Sequence, residues 1–414
     1  MSSSSAPQTA ADTPSAASSR SSAHTRPEGD KHAAALLALA VGGFGIGTGE
    51  FAIMGLLPEV AHDLGVSIPQ AGHVISAYAL GVVVGAPVLA VLLARWHRRA
   101  LLVALMLVFA AGNFASALAP GYLSLNLLRF MAGLPHGTYF GVAALVAAGL
   151  APPGRRGRAI ASVMMGLTVA TVVGVPLSAW LGEALGWRAA FALVGAIGLL
   201  AAWLVRRHVP DSTPEPGASP WRELGALRRG QVWLTLGIGA IGFGGLFSVF
   251  SYIKPTMIEV AGMSPSRVPL VLAVLGLGMV AGNVIGARLA DRNLMRTIGG
   301  VLLWAVLVLT AFCFTASHAL AATVTVFFVG TIGALAVALQ IRLMDVAGEA
   351  QTLAAALNHS AFNMANALGA WLGGVTITAG LGWTSTGWVG ALLALGGLGV
   401  FGWSLAYERA ARRS

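Results

Sequence analysis

The chain has 414 residues, of which 57% are hydrophobic and only 10% charged, against roughly 25% charge in ordinary soluble domains. No water-soluble globule of this size hides so much apolar surface, so a bilayer must cover it. The formal charge of +10 invites a nucleic-acid reading. The arginines, however, are scattered through short segments between apolar stretches rather than gathered on one face, which argues against that partner. Cys313 is the only cysteine, so an intrachain disulfide and a thiol-built metal site are both excluded.

Residues 1–32 are rich in Ser, Ala, Thr and Pro and lack apolar periodicity, which predicts a disordered tail. A signal peptide does not fit, because the next apolar stretch, Ala33 to Leu57, exceeds the roughly 7–15 residues of a signal h-region. A helix needs about 20 apolar residues to cross roughly 30 Å of hydrocarbon. Windows of that length fall at 33–57, 71–94, 100–119, 123–149, 159–182 and 188–206, and then at 231–254, 268–290, 297–316, 319–343, 352–378 and 385–407. The predicted fold is all-α, with twelve transmembrane helices in two six-helix halves, 33–206 and 231–408. A polar linker, 207–230, joins the halves, and a short tail, 409–414, closes the chain.

Orientation follows from the Lys/Arg bias of the connections. Alternate connections carry Arg95, Arg98 and Arg99, then Arg155, Arg156 and Arg158, then Arg206, Arg207, Arg222, Arg228 and Arg229. The series continues through Arg288, Arg292 and Arg296, Arg342, and finally Arg409, Arg412 and Arg413. The opposite connections hold little beyond Arg188, Lys254 and Arg267, with Glu59, Asp63, Glu183 and Glu259. Both termini are therefore expected in the cytoplasm of a multi-pass protein of the inner (plasma) membrane.

The second and eighth windows share a register. Leu80, Gly81, Gly85, Ala90 and Arg95 coincide without gaps with Leu277, Gly278, Gly282, Ala287 and Arg292. Chance glycine matches are the bland explanation, but the matching loop position favours an internal repeat. Two halves related by an axis along the membrane normal place a substrate site between them, near the midplane.

Ionisable side chains in hydrocarbon are costly, about 2.5–3.5 kcal/mol each on the insertion scale, and few occur here. Glu50 lies about eight residues before the outer end of its window and Arg129 about six after the outer start of its own, roughly 12 and 9 Å deep on oppositely running helices. An acid and a guanidinium at one depth are expected to pair. Either the pair is a static structural bridge, or Glu50 carries a proton. Burial and a neighbouring cation act in opposite senses on a carboxyl's proton affinity, so alternating exposure would load and release one proton per cycle. His136, seven residues after Arg129, shares its face and is either a proton relay or a hydrogen-bonded core histidine. In the 352–378 window, His359, Asn363 and Asn366 have i, i+4, i+7 spacing and form one polar face beside Asn358. That face either lines a cavity or bonds to another helix. Asn113, Tyr139, Asn283 and Gln340 are weaker candidates for the same cavity. No Gly-x-x-x-x-Gly-Lys-Ser/Thr loop is present, so ATP chemistry, a cofactor and catalysis are not expected.

Five ordered stretches carry a family resemblance: Gly49–Pro58; Ser76-Ala-Tyr78-Ala-Leu-Gly81 with Gly85-Ala-Pro87; Arg129–Gly137; Gly186–Phe191; and Phe250–Pro255. In these the chain resembles the major facilitator superfamily from about residue 33 to 408. It is most similar to the arabinose-efflux-type permeases and chloramphenicol exporters of the twelve-span drug:proton antiporter group. The resemblance implies a monomeric secondary transporter that expels small molecules, drug-like compounds or sugars and nucleosides, against a proton gradient. It also implies gating residues. The loop motif of the superfamily keeps Arg95, Arg98 and Arg99, with Ala94 in place of its aspartate, and returns as Asp291-Arg292. Asp291 would hold the outward-closed state by pairing with helix ends, unless it forms only a loop salt bridge. The fifth-span signature survives as Gly166, Gly174-Val175-Pro176 and Gly182, with its Gly-Pro pair split and its Gly-Gly absent. Glycine and proline there also serve simple bending and packing. A proton-coupled importer of the same fold, and a membrane sensor or scaffold, remain alternatives.

Overall fold

The computed structural model describes residues 28–93, 95–152, 156–211, 225–348 and 351–411. Most of the expected tail 1–32, the middle of the linker 207–230, Ala94 and the last three residues lie outside the described residues. The described residues contain helices and no strand, as lipid demands: a spanning segment must satisfy its own backbone.

The N-terminal half comprises α1 (Glu28–Phe51), α2 (Leu57–Leu64), α3 (Ile68–Leu92), α4 (Arg98–Ala117), α5 (Tyr122–Gly133), α6 (His136–Leu150), α7 (Arg156–Val169), α8 (Val175–Leu185) and α9 (Trp187–His208). The C-terminal half comprises α10 (Gly230–Gly237), α11 (Gly244–Ser251), α12 (Ile253–Glu259), α13 (Val268–Thr315), α14 (Ala319–Gly330), α15 (Ala334–Ala347), α16 (Gln351–Thr378) and α17 (Ser385–Ala411). Local chemistry sets the ends. Ser67 caps α3 reciprocally with Gln70, satisfying two otherwise orphaned amides. Pro135 separates α5 from α6 because it has no N–H to donate. A π-helical turn, Ala170–Gly174, precedes Pro176 between α7 and α8, and a second, Ile238–Gly242, links α10 to α11.

Among the described residues, ten helical stretches are long and apolar enough to cross a membrane, against the twelve expected. Two features lie where the expected count differs. Val268–Thr315 runs as one stretch through two expected spans, yet Asn293 inside it is non-helical (φ −159°, ψ 98°). The Asn293 Oδ1 accepts from the Arg296 amide at 3.0 Å, which is the geometry of a new helix N-cap. The other is α16, whose Asn358, His359, Asn363 and Asn366 dilute its hydropathy.

The repeat extends from residues to contacts. Gly81 and Gly85 of α3 lie against the backbone of Phe130 and Leu134, and Gly133 lies against Tyr78. In the other half Gly278 and Gly282 lie against Phe327 and Thr331, and Gly330 against Leu275. Every member of the second set is a member of the first shifted by one constant offset. Only a residue without Cβ permits such helix approach, the usual basis of close packing in lipid. Between the halves, α3 packs along α16, and α8 with its preceding π-turn packs along α13. The Ser76 hydroxyl of α3 donates to the Ala367 carbonyl of α16 at 3.1 Å across this boundary.

Replacing Gly81 or Gly278 by Val should force backbone apart and cost at least ~3 kcal/mol, the upper range for overpacking. Thermal melting in detergent should show this for both, whereas Gly402→Ala, where no neighbour lies within 4 Å, should melt like the parent. Equal melting of all three would refute the packing role.

Candidate functional site at the junction of the halves

Arg129 is fully buried, and its surroundings correct the expected ion pair. Its Nη2 donates to the Gly49 carbonyl at 2.6 Å and its Nη1 to Asn113 Oδ1 at 3.2 Å. Gly49 is in the last turn of α1, where carbonyls lack helical partners. Asn113 is pinned by its own bond to the Phe109 carbonyl at 2.8 Å. The guanidinium also lies over the rings of Tyr78 and Phe191, at 4.3 and 4.9 Å, contacts worth about 2 kcal/mol when desolvated. No ion pair joins Arg129 to Glu50 among the described residues. The cation is coupled to the acid through the backbone of the adjacent residue instead.

Glu50 is thereby left to other partners. It is 5% exposed, and its Oε1 accepts from Asn366 Nδ2 at 3.4 Å. Its Oε2 lies 3.9 Å from His136 Nδ1, which is also 3.3 Å from the Tyr78 hydroxyl. The His136 ring is 5.7 Å from that of His359, which stacks on Phe140 at 4.9 Å. Acid, histidine pair and amide thus form one cluster to which α1, α3 and α6 contribute from one half and α16 from the other.

The remaining candidates separate. Asn363 is buried but bonds back to the His359 carbonyl at 3.1 Å. Asn358 donates to Gln340 Oε1 at 2.6 Å, tying α16 to α15 within one half. Tyr139 is fully buried inside the N-terminal half, where its hydroxyl holds the Leu39 carbonyl at 2.9 Å; it is not at the junction. Asn283 is half-buried against Gly333, also within one half. Gly174 lies against Thr48 of α1, and Pro176 is in the first turn of α8. Arg95, Asp291 and Arg292 are exposed, and none forms an ion pair among the described residues. Asp291 therefore does not hold this state closed.

A sequence model of the Major Facilitator Superfamily matches residues 39–345. The chain belongs to the Major Facilitator Superfamily. It is 41% identical over 360 residues to the inner membrane transport protein YdhP of Escherichia coli K12, covering 87% of this chain and 92% of that one. It is 35% identical over 371 residues to the chloramphenicol resistance protein of Streptomyces lividans, covering 87% and 92%. A crystal structure of a bacterial homologue of the human lysosomal transporter Spinster, inward-facing and unoccupied, superimposes with a TM-score of 0.65 at 19% identity, covering 91% of this chain and 95% of that one. This major facilitator protein is accordingly a multi-pass membrane transporter.

The closure that sequence reasoning missed lies at the end of the bundle carrying α2 and α12. Lys254, 2% exposed, is ion-paired with Glu59 from the other half. In the sequence both looked like ordinary loop charges; the signal was their position beside Pro58 and Pro255, which are equivalent in the repeat. Nearby, Gly186 adopts φ 89°, a conformation favouring glycine. It turns Trp187 and Arg188 onto Asp63, which bonds to both. The Arg188 guanidinium, then the Trp187 indole, hold the Asp63 carboxyl below the usual aspartate range. With Glu59 and His62 they line a cleft of about 540 Å³ in the N-terminal half.

Lys254→Met leaves Glu59 without its partner, and breaking such a pair is strongly destabilising for the closed contact. Spin labels at positions 62 and 266, in a Cys313→Ala background, should show the separated population of this end rising at least ~10-fold, equivalent to ~1.4 kcal/mol. An unchanged distance distribution would show that the pair does not lock the halves.

Proposed function

We propose that this transporter expels small molecules in exchange for protons, by alternating access of a site between the halves. The observation that carries the reading is Glu50: a single buried carboxyl at the junction of the halves, freed from Arg129 and touching both halves. A membrane-buried acid that is not consumed by a salt bridge is suited to carrying a proton. His136 and His359, which approach one another across the junction, offer it a relay.

On this reading the chain has twelve spans, with the break at Asn293 dividing α13 into two and α16 forming the eleventh. The arginine-rich end carrying Arg95 and Arg292 faces the cytoplasm, as do the termini and the linker 207–230, and the Glu59 end faces outward. The protein works as a monomer in the inner membrane and draws its energy from the proton gradient, without a cofactor. Drug-like molecules are the substrate class we favour, because a relative is named for chloramphenicol resistance; sugars and nucleosides are the alternatives. Gln340, His359 and Asn363 are the polar groups we assign to the substrate, and Arg95, Gly174, Pro176, Asp291 and Arg292 to gating. Asp291 would act in the state opposite to the one described here.

The test is transport of chloramphenicol by purified protein in liposomes under an imposed proton gradient. Glu50→Gln keeps the shape and hydrogen bonding of the side chain but removes its titratable proton. It should retain substrate exchange and lose gradient-driven accumulation by at least ~10-fold, the lower bound typical of removing an essential proton-transfer group. Full accumulation by a folded Glu50→Gln protein would eliminate Glu50 as the obligatory carrier.

A further inference from the structure

The other face of the proton site has an unfilled bond. Asn366 of α16 is fully buried, donates Nδ2 to Glu50 Oε1 at 3.4 Å, and leaves its Oδ1 without any hydrogen-bond partner. A buried amide oxygen in that condition is expensive, costing about as much as a lost hydrogen bond. It also sits across the boundary of the halves from a group whose donor capacity depends on a proton. An ionised carboxylate only accepts. Whichever way the amide turns, it can take one bond from Asn366 and leaves Oδ1 orphaned beside negative charge. A neutral carboxyl both donates and accepts, so acid and amide satisfy each other with two bonds after a small rotation about their terminal torsions, which are soft.

We infer that Asn366 is a positioning residue that converts protonation of Glu50 into docking of α16 onto α1, so that the protonated transporter favours closure of the Glu59 end. The inference rests on Glu50 being the proton carrier. It agrees with exchange transport, in which the proton-loaded protein must close outward before it releases its proton inward. It also gives Asn366 a role other than contacting substrate.

The remaining ionisable groups that face Glu50 are Tyr78 of α3, Arg129 of α5 and His136 of α6, with His359 of α16 against His136. Around its neighbours on α1, the other packed helices bring apolar side chains: Leu167 and Val194 against Gly47 and Gly49, and Phe247 against Phe51. Of all these groups only the histidines, as free side chains, titrate near neutrality, and the test must separate them.

Spin labels at positions 62 and 266 of the full-length Cys313→Ala protein in nanodiscs report the closed fraction of the Glu59 end as pH is varied. The parent should close as pH falls. Glu50→Gln, an amide that donates and accepts at every pH, should show a closed fraction that no longer changes with pH. Asn366→Leu, nearly isosteric, should lose the response, with the closed-to-open ratio changing at least ~10-fold less between the pH extremes than in the parent. Asn366→Asp should move the midpoint upward by about one pH unit or more, since two carboxyls facing across the boundary must share a proton. A merely structural role moves no midpoint. If Asn366→Leu does not fold, an unmoved midpoint in Asn366→Asp overturns the inference. A parent-like response in Asn366→Leu also overturns it, provided Glu50→Gln has lost the response. A response that survives in Glu50→Gln instead overturns Glu50 as the titrating group. In a His136→Gln, His359→Gln background the response should persist; its disappearance there assigns it to the histidines and overturns the inference.

Discussion

The structure depends on how one guanidinium is kept charged in a bundle surrounded by hydrocarbon. Arg129 does this without spending the only acid nearby. A helix-end carbonyl and an asparagine accept from its two terminal nitrogens, and two aromatic faces lie against its charge. Were Arg129 and Glu50 in direct contact, each would neutralise the other, and changing the protonation of the acid would strand a bare cation. Displacing the arginine by one residue leaves a favourable field around Glu50 without occupying its oxygens. The acid can then exchange partners with the opposite half, which is what an element that moves between two arrangements requires.

The bundle around this site owes its shape to small residues. Where hydrophobicity cannot drive helices together, van der Waals contact must, and contact needs backbones to approach. The glycines of α3 and α13 meet α5 and α14 in the same way in both halves. Each half is therefore a tight body whose internal helix crossings resist change, and the bodies meet mainly along α3 and α16 and along α8 and α13. Those contacts comprise few polar links: Ser76 to the Ala367 carbonyl, Glu59 with Lys254, and Glu50 with Asn366. A rigid half joined to its neighbour by a few specific bonds moves as a unit when one of those bonds changes.

Much of this was legible in the sequence, for identifiable reasons. Apolar length gave the spans because lipid fixes their minimum size. The constant register of Gly81, Gly85 and Arg95 with Gly278, Gly282 and Arg292 gave the repeat, because close packing tolerates no substitute there. The burial of Glu50 and Arg129 followed from their depth in apolar windows. Their relation did not. Depth along two helices says nothing about azimuth, and it was azimuth that sent the Arg129 fork to the Gly49 carbonyl. Tyr139 differs from expectation for the same reason: its polar hydroxyl suggested a cavity, while it bonds to the Leu39 carbonyl inside the half. The partnership of Lys254 with Glu59 is a contact between residues far apart in the chain, invisible to any local pattern.

The repeat also shows how one scaffold divides its labour. Shifting Glu50 and Arg129 by the offset that relates the glycines leads to Phe247 and Val326. The C-terminal half thus keeps the packing of the N-terminal half while replacing its charges with apolar bulk; Phe247 stacks near Phe51 at 6.1 Å across the junction. Ionisable groups cost free energy wherever they are buried, so one buried acid–cation set is cheaper to maintain than two. The second half then contributes what a neutral surface can: an aromatic wall, and amides whose bonds distinguish a protonated acid from an ionised one. On the proposed function, geometry common to both halves would supply the motion, and chemistry confined to one would supply its direction.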